Sequence, residues 1–85
     1  MRLKLEERER FHNYLDLCLD KLESEKNKGK PHWRKFDKHL LCDLLKIEMQ
    51  ELEFSIKWSC TDDIEDELKD VINLAMFLYD NNFDV

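Results

Sequence analysis

The chain has 85 residues, 40% of them charged and 42% hydrophobic, with a single Gly, a single Pro and a net charge of -6. That size makes one domain, residues 1–85, near the lower limit at which a hydrophobic core stands without disulfides, a metal or a partner subunit. Scarce turn residues argue against a β-rich fold, the acidic balance against a general binder of nucleic-acid polymers, and the lack of any apolar run of ~20 residues against a bilayer span.

The expected fold is therefore all-α: a small antiparallel bundle of three main helices, completed by oligomerisation. The charged opening "MRLKLEERER" has no signal-peptide h-region, so a soluble, cytoplasmic protein is expected. Three cysteines, Cys18, Cys42 and Cys60, have neither C-x-x-C nor zinc-ligand spacing and read as buried free thiols in a reducing compartment.

In chain order, Phe11, Tyr14, Leu15, Cys18 and Leu22 recur at steps of three and four and draw one apolar stripe on a helix from about 3 to 24. "EKNKGKPHWRK" breaks the pattern with the only Gly and Pro and reads as a loop. A second helix is expected from 34–37 to 57–58, with Leu40, Leu41, Leu44, Leu45 and Leu52 inward. A third runs from about Asp62 to Asp80, with Asp62 and Glu65 in capping-box spacing. Its second half, "VINLAMFLY", is apolar on almost every side. Such a helix is covered on more than one face, which predicts a homodimer or homotetramer with this helix near the interface.

The acids of the second and third helices are unusually placed. At 100° per residue, Glu48 and Glu51 fall between Leu41 and Leu44 on one side and Leu52 and Ser55 on the other, while Glu67 and Asp70 lie beside Leu74, Phe77 and Leu78. A short turn makes the two helices antiparallel neighbours, so the pairs can meet at similar height. Four carboxylates gathered there repel one another and lose hydration, at several kcal/mol per uncompensated ion. Neither helix puts Lys or Arg on its facing stripe. A divalent cation is the simpler compensation, and hard oxygen ligands select Mg²⁺, Mn²⁺ or Ca²⁺. The competing account is a solvated acidic face, since pairs three residues apart arise easily among 20 acids. A di-iron bundle would need E-x-x-H on two helices, and only Glu9 to His12 supplies one.

With those residues in view, the chain resembles the MazG-like all-α nucleoside triphosphate pyrophosphohydrolases, whose signature is E-x-x-E, a spacer, then E-x-x-D. Here "EMQE" at 48 to 51 and "ELKD" at 67 to 70 match with fifteen residues between. The likeness covers residues 30 to 82, including the apolar run after Asp70. It departs in "IEMQE", which lacks the adjacent acid many members carry. The resemblance implies Mg²⁺-dependent hydrolysis of a (d)NTP to (d)NMP and pyrophosphate, a role in nucleotide-pool housekeeping, and Glu48, Glu51, Glu67 and Asp70 as metal-holding, catalytic residues. Mn²⁺ is a possible substitute.

Three residues are candidates for substrate binding. Asn73 is the polar residue within "VINLAMFLY", and could hold water, phosphate or base or make an interhelical hydrogen bond. Trp33 could stack a base or plug the loop onto the bundle, and Lys30 could touch phosphate, as could Arg34 and Lys35. The alternative function is a non-catalytic helical interaction module whose acids pair with a partner's cations.

Overall fold

A computed structural model describes residues 1–24, 32–58 and 61–82. The architecture is all-α, three helices with no strand among the described residues.

Helix α1, Leu5–Glu23, begins two residues later than expected. The Lys4 N–H donates to Glu7 Oε1 at 2.9 Å, and Glu6 and Glu7 place negative charge against the positive end of the helix dipole. The stripe meets its neighbour only toward its C-terminal half: Cys18 is fully buried, while Phe11, about two turns earlier, stays exposed. Cys18 thus fits the buried-thiol expectation, Cys42 is exposed and does not, and Cys60 lies outside the described residues.

A 3₁₀ turn, Trp33–Lys35, leads into α2, Lys38–Trp58. The Asp37 side chain accepts from the His39 N–H at 3.3 Å and its carbonyl from the Leu41 N–H at 3.0 Å. Asp37 thus satisfies one of the donors a helix start leaves open and accepts the first bond of the helix ladder. Leu41, Leu52 and Ser55 are buried on the inner side as expected, whereas Leu40 lies at the edge of that face and is exposed.

Helix α3, Thr61–Asn82, starts one residue before Asp62. Asp62 is therefore in the first turn, where its charge favours the dipole, and does not occupy the cap position assumed for the capping box. The helix is central: α2 and α1 both pack against it, and α1 and α2 make no close backbone approach among the described residues.

The far end of α3 is held by Trp33. Its indole N–H donates to Asp80 Oδ2 at 2.8 Å, and its ring lies parallel to Phe77 with centroids 4.7 Å apart. Arg34 Nε pairs with the same carboxylate at 3.0 Å, and Asn81 Nδ2 donates to the Phe36 carbonyl at 2.9 Å. Bonds from Arg34 and then Trp33 hold the Asp80 carboxyl below its ordinary range. Trp33→Ala is expected to cost about 2–3 kcal/mol, below the fully buried figure because the ring is half-buried. For a domain of this size that is a fall of roughly 10 °C or more in a thermal melt followed by circular dichroism. An unchanged midpoint would remove the plug role.

Candidate metal centre

The two acid pairs meet. Glu48 and Glu51 on α2 sit one turn apart, as do Glu67 and Asp70 on α3, and the antiparallel packing sets Glu51 against Glu67 and Glu48 against Asp70. One carboxylate oxygen each from Glu48, Glu67 and Asp70 lies within 4.8 Å of the others. Opposite ligands of a divalent cation are separated by about 4–5 Å, twice the usual metal–oxygen distance. Glu51, more exposed, lies outside that trio but close enough that its charge acts on both Glu48 and Glu67.

The electrostatics are those of a site short of positive charge. Burial pushes the Glu48 carboxyl up to about 7, helped by its bond to Glu51 and the charges of Glu51, Asp70 and Glu67. Glu67 is raised for the same leading reason, burial, followed by Glu51 and Asp70. Glu48 Oε2 and Glu67 Oε2 are buried with no hydrogen-bond partner. A buried acceptor without a donor loses its hydration uncompensated. Two such oxygens in an all-oxygen donor set fit a hard divalent cation.

One compensating cation does come from the chain, and it comes from the helix left out of the facing-stripe count. Lys21 on α1 reaches Asp70 Oδ1 at 2.8 Å and Asp66 Oδ2 at 3.0 Å. It also donates to the Asp66 carbonyl at 3.2 Å. Burial opposes its charge, and the bonds to Asp70 and Asp66 overcome that, holding the ammonium above its ordinary value. Its sequence signal was available: Tyr14, Cys18 and Lys21 follow at steps of four and three, so Lys21 continues the stripe that docks on α3. Tyr14 donates to the Glu65 carbonyl at 2.6 Å.

The three substrate-binding candidates fall in different places. Asn73 is buried and donates through Nδ2 to the Cys18 carbonyl at 3.1 Å, bridging α3 to α1, while its Oδ1 has no partner. Trp33 is at the far end of α3, ten residues or about 15 Å along the helix from Asp70, with Phe77 stacked on it at 4.7 Å and His32 at 3.8 Å. Lys30 lies outside the described residues. Beside the acids, Ile47, Gln50, Glu51, Phe54, Ser55 and Glu67 line an open depression, which borders Glu67 on one wall and apolar side chains on the other.

No helix among the described residues is long and apolar enough to cross a membrane. No protein-family model, curated protein or solved structure gives a significant match to the chain.

Proposed function

We propose that the chain is a Mg²⁺-dependent nucleoside triphosphate pyrophosphohydrolase of the MazG-like kind. The observation that carries this reading is the convergence of E-x-x-E and E-x-x-D, from two antiparallel helices, on one partly buried cluster with two unpartnered carboxylate oxygens. Glu48, Glu67 and Asp70 would hold the ion, which when bound neutralises phosphate oxygens and raises the acidity of water. The open depression beside Glu67 would receive the triphosphate. Glu51, outside the trio and closest to solvent, is left to accept the proton from the water that attacks the α phosphorus. The bond to the bridging oxygen breaks, and pyrophosphate leaves with that oxygen.

The protein is also proposed to work as a homo-oligomer. It exposes 7109 Å², against about 5400 Å² for a folded monomer of its mass. The radius of gyration is 14.2 Å, where about 12 Å is usual for this length. The uncovered apolar surface nearest the acids is on α2: Leu40, Ile47, Phe54 and Trp58 form one edge flanking Glu51, and Met49 and Ile56 the other. A second copy covering the first edge would close the depression beside the acids, which moves the expected interface from α3 to α2.

The test is chromatography of products after incubation with a panel of canonical and modified NTPs and dNTPs and Mg²⁺. Monophosphate and pyrophosphate in equal amounts are expected. No turnover of any nucleotide with Mg²⁺ or Mn²⁺ would leave the helical interaction module as the better account. Sedimentation of the same sample reads the assembly, and a monomer at micromolar concentration ends the oligomer proposal.

A further inference from the structure

Lys21 is not part of either acid motif, and the chemistry proposed above makes no use of it. Its position is nevertheless particular: its ammonium bridges Asp70, a member of the carboxylate trio, and Asp66, one helical turn earlier on α3 and outside the trio. The two acceptors differ in setting, the Asp66 side chain being 59% exposed and that of Asp70 33%. The ammonium therefore has one foot on the cluster and one on its solvent side.

We infer that Lys21 is an internal counter-ion that sets the affinity of the cluster for a divalent cation, by occupying Asp70 when the ion is absent and being retained by Asp66 when the ion takes Asp70. This rests on the cluster being a cation site. Without an ion, Lys21 offsets the repulsion among Glu48, Glu67 and Asp70 and pins α1 to α3, so the helices stay assembled around an empty cluster. An arriving cation must displace the ammonium from Asp70 and tolerate its charge nearby, so affinity is held below what three carboxylates alone would give. Asp66, spaced i–4 from Asp70, keeps the ammonium from being stranded.

Lys21 in this role positions and tunes the site without touching substrate, and it can be told apart from a simple strap between helices. If it were only a strap, Lys21→Met would loosen the cluster and weaken both the fold and cation binding. A counter-ion gives effects of opposite sign. Removing a unit charge roughly 5 Å from a divalent ion should tighten binding by about tenfold or more, although the metal-free fold melts lower.

The experiment is titration of the full chain with Mn²⁺ alone, following the free ion by electron paramagnetic resonance, beside melts in EDTA. Lys21→Met is expected to bind Mn²⁺ about tenfold more tightly than wild type, and Lys21→Arg about equally to wild type. Asp66→Asn should bind several-fold more weakly, and that loss should vanish in the Lys21→Met background, as coupling through the ammonium requires. Equal or weaker binding by folded Lys21→Met, or an Asp66→Asn loss that persists without Lys21, overturns the proposal while leaving the cation site standing. If neither wild type nor Lys21→Met binds Mn²⁺, the cation site and the proposal fall together. Should Lys21→Met fail to fold in EDTA, Asp66→Asn in exposed surroundings decides: binding at or above wild-type strength rejects the handover.

Discussion

Glu67→Gln is expected to reduce nucleotide hydrolysis by at least about 100-fold while leaving the metal-free protein folded and slightly more stable. The size follows from position. Losing even a group that merely supports a metal ligand costs about 10- to 100-fold, and Glu67 contributes an oxygen to the trio itself. The opposite sign on stability follows from charge: Glu67 carries a raised pKa through burial, Glu51 and Asp70, so its ionised form is disfavoured by the fold. An uncharged amide of the same shape removes that repulsion, so the midpoint of a melt with EDTA should rise. Product chromatography and calorimetry on one preparation read both effects. Wild-type turnover by the variant would remove the cluster from the chemistry. A midpoint several degrees lower would make Glu67 a structural acceptor instead.

The second large effect is on pH. Glu48 is held up to about 7 by burial, Glu51, Asp70 and Glu67, well above its ordinary carboxylate value. Between those values the native protein binds more protons than the unfolded chain, so stability decreases as pH rises across the window. In EDTA the protein should be most stable near pH 4.5 to 5 and lose on the order of 2–3 kcal/mol by pH 8. The depressed Asp80 carboxyl acts below this window and the raised Lys21 above it, so neither masks the slope. Saturating Mg²⁺ should oppose it, because ligation requires ionised carboxylates and binding releases protons. At 100 times its Kd the ion adds ~2.7 kcal/mol, and its gain in midpoint should grow from pH 5.5 to 8. Melts across that range, with and without Mg²⁺, check both slopes, and Glu48→Gln should flatten the EDTA curve. A midpoint that climbs with pH in EDTA would contradict the strained cluster.

The helices and the meeting of the acids were both legible in the residues. Spacing of three and four predicts all three helices to within a few residues, and the i, i+3 placement of Glu48 with Glu51 and of Glu67 with Asp70 on the apolar side predicts that they face inward. Three of the four do converge within 4.8 Å, while Glu51 sits at the exposed edge. Periodicity places a residue on a helix face without saying how far the neighbouring helix reaches around it. The same gap explains Leu40 and Phe11, both on apolar stripes and both exposed.

What the sequence by itself determined is what depends on local spacing: the all-α class, the helix extents and the inward direction of Glu48, Glu67 and Asp70. Tertiary structure alone decided which helix lies in the middle, that Lys21 from the first helix reaches Asp70, and that Trp33 closes onto Phe77 and Asp80. Those contacts join residues 44 to 49 positions apart. They depend on how α1 and the 3₁₀ turn dock on α3, which is set by side-chain packing between elements distant in the sequence and which no local pattern encodes.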